Sequence, residues 1–107
     1  MLPKSNRVDK KGIDLLFKQG KSLFSPVFTF KFLINPENQR KISFIAPKSV
    51  SKLAVNRNKL RRKGYNSLKN YINQAPNGIL GVFVFKKYED NLEKIAHEIK
   101  NILSKIH

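Results

Sequence analysis

The sequence contains no cysteine and only seven acidic residues among its 107 positions. Without cysteine, the chain can form neither a disulfide bond nor a thiolate-bound metal site. No apolar run approaches the length of a membrane-spanning helix, and the N-terminus lacks the apolar core of a signal peptide. A chain of this length has room for one modest hydrophobic core. We therefore expect one soluble, cytoplasmic domain over residues 1–107.

Groups that could carry out catalysis are equally scarce. His97 and His107 are the only histidines, one on a C-terminal helix and one ending the chain, so a concerted acid–base pair is not expected. Glu89, Asp90 and Glu93 have the placement of charges at a helix start. No P-loop, dinucleotide fingerprint or cluster with metal-ligand spacing is present. We expect the protein alone to bind no cofactor and no metal, and not to be a hydrolase.

Positive charge, in contrast, is abundant and unevenly placed. The 22 basic and 7 acidic residues give a formal net charge of +15, which favours a nucleic-acid partner. An anionic membrane is the physical competitor, but it usually requires bulky apolar residues opposite the basic face of a helix. Between Glu37 and Glu89 there are twelve basic residues and no acid, and ten of the twelve lie in Arg40–Lys69. Like charges on one element repel each other, so this stretch indicates a polyanionic partner.

Hydrophobic periodicity predicts a mixed fold of helices and strands. The predicted elements are a helix over Lys10–Gln19 capped by Asp9, a strand over Pro26–Ile34, a turn at Asn35–Asn38, a strand over Lys41–Ala46, a basic helix from about Ser51 to Ile72, a strand over Ile79–Phe85 buried on both faces, and a C-terminal amphipathic helix. The first two strands are expected to form an antiparallel hairpin, and a further strand before the basic helix is an option. This order predicts an α/β (α+β) two-layer sandwich with its helices mostly on one sheet face.

Alternation within the first strand assigns its two faces. Phe28, Phe30, Phe32 and Ile34 point toward the core, whereas Val27, Thr29, Lys31 and Leu33 point toward a mixed, partly open face. On the basic helix the apolar side is predicted to consist of Leu53, Leu60, Gly64, Leu68 and Tyr71. A glycine inside a helix costs on the order of 1 kcal/mol relative to alanine. Two explanations of Gly64 are open: the helix merely tolerates the glycine, or the helix approaches the sheet or the RNA backbone closely at this position.

The basic helix differs from an ordinary solvated helix face, which would carry interspersed acids and i,i+4 ion pairs. It has neither. Arg57, Arg61 and Arg62 can each bind a phosphate through two hydrogen bonds, and Lys59 and Lys63 add less directional charge. Phe17, on the first helix, is predicted to line a groove beside the open sheet face, where a single strand could stack on aromatic rings.

At this helix the sequence resembles the protein subunit of bacterial ribonuclease P. The family signature reads here Ala54-Val55-Asn56-Arg57-Asn58-Lys59-Leu60-Arg61-Arg62. The lead-in over Ser49–Lys52, the opening Leu2–Lys4 with Asn6–Val8, and the run Leu16–Ser22 also match. The similarity thus covers nearly the whole chain in order.

The resemblance implies an α-β-β-β-α-β-α sandwich with a left-handed β-α-β crossover. It also implies a ribonucleoprotein endoribonuclease, a hydrolase of tRNA processing, whose RNA subunit carries out catalysis with Mg²⁺. The protein would bind that RNA and the 5′ leader of precursor tRNA and assist removal of the leader. It would be monomeric, with no membrane or small-molecule partner.

The resemblance also implies two sets of site residues. Those expected to contact the RNA subunit are Asn6, Arg7, Lys48, Lys52, Arg57, Asn58, Lys59, Arg61, Arg62 and Lys63. Those expected to line the leader groove are Ile13, Phe17, Lys31 and Tyr65. The sequence departs from the family pattern at four positions. They are Ile13 for a usual Phe, Pro47 for Ser, Gly64 for an aliphatic residue and Tyr65 for Arg.

Two other functions remain open at this point. A ribosomal-protein-like or RNA-chaperone domain would bind RNA without a role in cleavage, and would not distinguish substrates with a 5′ leader from those without one. A ribonuclease made of protein alone would cleave without an RNA subunit, which the scarcity of catalytic groups argues against.

Overall fold

Three helices and a four-stranded sheet form the described part of the chain, residues 7–34 and 40–106 of a computed structural model. The elements are α1 (Lys10–Gln19), β1 (Lys21–Phe24), β2 (Phe28–Ile34), β3 (Lys41–Ile45), α2 (Ala54–Leu68), β4 (Ile79–Phe85) and α3 (Leu92–Ser104), with a short 3₁₀ helix at Ile72–Gln74. The predicted order α-β-β-β-α-β-α is confirmed. Asn6, His107 and the predicted turn at Asn35–Asn38 lie outside the described residues.

The sheet order is β1-β2-β4-β3, so β4 lies between β2 and β3. β4 runs antiparallel to β2 and parallel to β3. The strands predicted over Pro26–Ile34 and Lys41–Ala46 correspond to β2 and β3. The prediction that these two strands pair as an antiparallel hairpin is therefore wrong. β4 is apolar on both faces, and only an interior position covers both. The hairpin that does form joins β1 to β2. The sequence placed its optional further strand between Lys41–Ala46 and the basic helix, whereas the third strand is β1, which precedes β2.

Helices cover both faces of the sheet, although unequally. The main core lies between the sheet and the pair α2–α3, and it contains Phe28, Phe30, Phe32, Ile42, Phe44, Leu60, Leu68, Phe83, Phe85, Ile95 and Ile99. α1 packs on the opposite face in a smaller cluster around Leu16 and Val82. The prediction of helices mostly on one face is correct for α2 and α3. The β3–α2–β4 unit is the parallel crossover expected from the resemblance, and its hand stays a prediction.

Three positions differ from the predicted burial because they lie at element ends. Val27 precedes β2 and packs in the main core, so the alternation of the strand does not extend to it. Ile34 ends β2 and is 41% exposed. Leu53 is the N-cap of α2 and is 60% exposed. α2 ends at Leu68, so Tyr71 lies beyond the helix, but it packs half-buried against the main core as predicted.

Gly64 marks a close approach of α2 to the sheet. An ideal Cβ built on Gly64 would lie 2.5 Å from Cδ2 of Phe44. Because real Cβ atoms essentially never come that close, a larger residue would require the helix or the ring to move. Of the alternatives that the sequence left open for Gly64, contact with the sheet is the one observed.

Candidate nucleic-acid interface

The outer side of α2 carries a cluster of cations. Its inner side buries Leu60, Gly64, Tyr65, Ser67 and Leu68 against the core. This packing leaves Asn58, Lys59, Arg61 and Arg62 exposed. Lys63 is half-buried, and its Nζ donates a hydrogen bond to the Asp90 carbonyl at 2.8 Å. No cation of α2 forms an ion pair with a carboxylate within residues 7–34 and 40–106.

A groove of about 270 Å³ lies beside these cations. It is lined by Arg7, Phe44, Asn58, Arg61, Arg62 and Tyr65. The guanidinium carbon of Arg7 lies 4.7 Å from the centroid of the Tyr65 ring. The Arg61 guanidinium donates a hydrogen bond to Oδ1 of Asn58, which orients both side chains. Three guanidinium groups around an aromatic floor provide the donor geometry that phosphate oxygens require.

Arg57 differs from the other arginines of α2 because it turns back toward the protein. Its Nη1 donates hydrogen bonds to the carbonyl oxygens of Ser51 and Lys52, at 3.0 and 3.1 Å. Asn56 contacts the same loop through the Ser51 hydroxyl at 3.4 Å. Arg57 therefore holds the loop that leads into α2. That loop carries Lys52, which is exposed.

A second cluster lies on the opposite face, between α1 and the open part of the sheet. Phe17 of α1 is 49% exposed, and Nζ of Lys31 lies 5.6 Å from the centroid of its ring. The same Nζ donates a hydrogen bond to the Ser22 hydroxyl at 3.1 Å. Ile13 packs half-buried in the smaller hydrophobic cluster under α1. The structure thus brings Ile13, Phe17 and Lys31 to one face.

Tyr65, predicted for this second cluster, lies on the other side of the sheet. Its side chain belongs to the main core and is 6% exposed. Its hydroxyl accepts a hydrogen bond from the Phe44 N–H at 3.2 Å. The reason is helical geometry: Tyr65 neighbours Gly64 on the buried side of α2, which faces away from α1. Tyr65 therefore lines the α2 groove and not the groove beside Phe17.

Of the remaining predicted residues, Lys48 is exposed in the segment between β3 and α2. Arg7 lies in the α2 groove, and Asn6 is outside the described residues. The cations predicted to face the RNA subunit are therefore distributed over α2, the loop before it and the N-terminal segment. Those cations whose contacts the structure describes lie on the side of the sheet opposite α1.

One buried acid was not anticipated from the sequence. Glu98 of α3 is 5% exposed, and its Oε1 accepts hydrogen bonds from the Ser25 hydroxyl at 2.6 Å and the Val27 N–H at 2.7 Å. The carboxylate holds the corner between β1 and β2. Its spacing from Ile95 and Ile102 places Glu98 on the apolar stripe of α3, and that spacing is the signal that was available in the sequence.

Electrostatic features of the other helices are ordinary. The N–H of Asn91 donates to the Glu89 carboxylate, and with Lys94 nearby this hydrogen bond lowers the pKa of Glu89.

Among the residues described, no group of three or more His, Cys, Asp or Glu side chains is placed to hold a metal ion. None of the helices in the described ranges is long and apolar enough to cross a membrane.

Known structures share this fold. The RNase P protein from Thermotoga maritima aligns with a TM-score of 0.83 at 22% identity, covering 94% of this chain and 97% of that chain. The Staphylococcus aureus RNase P protein aligns with a TM-score of 0.80 at 17% identity, covering 94% of each chain. At sequence identities this low, these structural alignments show a shared fold.

Comparison with curated proteins gives no match. Comparison with family models gives one described as Ribonuclease P, which matches residues 2–107. That range includes both clusters of candidate site residues and the three α-helices and four strands described above. The chain therefore belongs to the Ribonuclease P family.

Proposed function

We propose that this chain, a ribonuclease P subunit by its family, binds the catalytic RNA subunit through α2. We further propose that it holds the 5′ leader of precursor tRNA between α1 and the sheet. In this way it assists the endonucleolytic cut that produces the mature 5′ end. The observation that carries the proposal is the α2 groove, where the exposed guanidinium groups of Arg61 and Arg62 lie beside an aromatic floor, and no cation of α2 forms an ion pair with a carboxylate within the described residues.

The RNA subunit is assigned to the α2 surface because its cations lie close together and face outward. Arg61 and Arg62 are exposed and can bind phosphates through paired hydrogen bonds. Neutralising several phosphates releases condensed counterions, so the affinity should fall steeply as salt rises. Lys48, Lys52, Lys59 and Lys63 add charge around this surface, and Arg57 supports it by holding the preceding loop.

The leader is assigned to the opposite face because an exposed ring and a cation meet there. A single-stranded base can stack on the Phe17 ring while the Lys31 ammonium lies near the backbone phosphates. The family usually has a second ring at the position of Ile13, so stacking on α1 is reduced to one ring in this chain. Two separate faces allow the protein to contact both RNAs at once.

Catalysis is assigned to the RNA subunit with Mg²⁺. The protein surface facing the RNA is strongly cationic, which disfavours a divalent cation there and favours ions held by RNA phosphates. The chain's own residues would bind RNA, orient the leader and neutralise phosphate charge. We place this monomeric protein in the cytoplasm, with the RNA subunit and precursor tRNA as its partners.

Reconstitution with a cognate RNA subunit at low Mg²⁺ tests the proposal. The protein should stimulate cleavage of precursor tRNA over RNA alone, and binding should weaken with salt with a slope that reflects several phosphate contacts. Precursors with a leader should bind more tightly than mature tRNA. No stimulation would overturn the assignment, and equal binding with and without a leader would favour an RNA-chaperone role.

A further inference from the structure

Phe24, at the end of β1, is a large apolar side chain exposed on the sheet surface. It is 62% exposed, more than any other phenylalanine among the described residues. Nζ of Lys86 lies 5.9 Å from the centroid of its ring and donates a hydrogen bond to the Ser25 carbonyl at 3.3 Å. An exposed ring that contacts a cation resembles the arrangement of Phe17 and Lys31.

The register of the sheet places Phe24 on the same face as Lys31. Phe24 is paired with Thr29 and Ser22 with Lys31, and Ser22 hydrogen-bonds to the Lys31 ammonium. Side chains two residues apart on a strand share a face, so Ser22 and Phe24 both face the side on which α1 lies. Leu23, between them, packs on the main core instead. Phe24 is thus a diagonal neighbour of Lys31, at about 7–8 Å.

Among the described residues, Phe24 lies outside the hydrophobic cluster under α1. Phe24 is 62% exposed, and Thr29, its partner across the strands, is half-buried and does not belong to that cluster. The cluster contains Leu33, Leu80, Val82 and Val84, so the part of this sheet face beyond them, toward β1, is the more open part. The two ring–cation pairs therefore follow one another across an open surface, from α1 toward the edge strand β1.

We infer that Phe24 and Lys86 form a second nucleotide subsite for single-stranded RNA. A base would stack on the exposed Phe24 ring, and the Lys86 ammonium would contact the adjoining phosphate. The inference rests on the proposed function, because the strand that reaches this subsite is the leader held by Phe17 and Lys31. The subsite supplies on the sheet the second ring that α1 lacks at Ile13.

The experiment uses the reconstituted holoenzyme and three substrates: a precursor whose leader is long enough to cross the sheet, one with a single leader nucleotide, and mature tRNA. Phe24→Ala should weaken binding of the long-leader precursor by roughly fivefold or more, the lower range for loss of one stacked base. It should leave the other two substrates unchanged. Phe24→Tyr should retain the affinity, and Phe24→Leu should not, because only the former keeps a ring.

Two further variants separate a subsite from a general effect. Tyr88→Ala removes another exposed ring (44% exposed) and should not alter leader binding. Lys86→Ala should lower the salt slope for the long-leader precursor by about one, and Lys86→Arg should restore it. Thermal unfolding of each variant verifies that the protein remains folded.

The outcomes distinguish the two proposals. If the unmodified holoenzyme prefers the long leader but Phe24→Ala binds it equally well, the subsite is refuted and the proposed function stands. If the unmodified holoenzyme shows no preference for any leader, the proposed function itself fails. Equal losses for all three substrates with Phe24→Ala would also refute the subsite, since they would indicate a change in tRNA or RNA-subunit binding.

Discussion

The hydroxyl of Tyr65 accepts a hydrogen bond from the backbone N–H of Phe44 at 3.2 Å, which ties α2 to the edge strand β3. Tyr65→Phe would leave this buried N–H without its partner. We expect the free energy of unfolding to fall by about 1–2 kcal/mol, measured by urea denaturation. Tyr88→Phe, at an exposed ring, should change it little. Equal effects of the two substitutions would contradict a structural role for the Tyr65 hydroxyl.

Gly64→Ala tests the close approach of α2 to the sheet. Helix propensity alone favours alanine by about 1 kcal/mol. The added Cβ would collide with the Phe44 ring, and overpacking of this kind costs about 1–3 kcal/mol. We therefore expect a net loss of stability in thermal unfolding. Asn66→Ala, at an exposed position of α2, should be neutral or stabilising. A more stable Gly64→Ala variant would show that the ring moves aside freely.

The arginines of α2 should separate into two classes. Arg61→Ala and Arg62→Ala should each weaken binding to the RNA subunit, lower the salt slope by about one and leave unfolding unchanged. Arg57→Ala should also lower the midpoint of thermal unfolding, because the Ser51 and Lys52 carbonyls lose their donor. Filter binding at several salt concentrations, with calorimetry, would measure both.

Lys100→Ala, an exposed cation on α3, provides the charge-matched control for these arginines. It should leave the affinity for the RNA subunit nearly unchanged. A loss as large as that for Arg61→Ala would mean that the RNA senses only net charge. Unfolding of the Arg61 variant would mean that this arginine supports the core.

Glu98 should contribute to stability through the two hydrogen bonds it accepts. Glu98→Ala leaves the Val27 N–H and the Ser25 hydroxyl without their partner, and we expect a loss of about 2–3 kcal/mol in chemical denaturation. Glu98→Gln keeps an acceptor oxygen and should lose less. Glu93→Gln, exposed on the same helix, is the control. The prediction fails if Glu98→Ala unfolds like the unmodified protein.

Glu89 should make the free energy of unfolding depend on pH in the acidic range. Its pKa is lowered by the hydrogen bond from the Asn91 N–H and by Lys94, so the folded state binds the proton less tightly than the unfolded state. Its contribution is therefore present at neutral pH, and it is lost as the pH falls below the ordinary glutamate pKa of about 4.3 and through the lowered value. Glu89→Gln should be less stable than the unmodified protein at pH 7, with the difference vanishing in acid. A difference independent of pH would refute this account.

Much of the local structure was predictable from the sequence. α1 spans Lys10–Gln19 as predicted, because the Asp9 side chain accepts a hydrogen bond from the Gly12 N–H and so defines the helix start. β4 was recognised from its continuous apolar run. These features depend on residues close together in the chain, and short-range hydrogen bonding and hydrophobic periodicity encode them directly.

Pairing of strands could not be predicted in the same way. β2 and β3 are consecutive, which favours a hairpin, but β4 inserts between them because its two apolar faces require cover on both sides. The short strand β1 then pairs with β2, and this pairing places Phe24 beside Lys31. Glu98 likewise has a role only because α3 packs against the Ser25–Val27 corner, more than 70 residues away in sequence.

The sequence by itself determined that α2 is a helix without acidic residues, that its partner should be a polyanion, and that the chain resembles the ribonuclease P protein subunit. Charge and residue order suffice for those conclusions. Only the tertiary structure decided which side chains share a face: Phe17, Lys31 and Phe24 on one side, and Arg7, Arg61 and Tyr65 on the other. Faces depend on strand register and helix packing, which arise from contacts between residues distant along the chain.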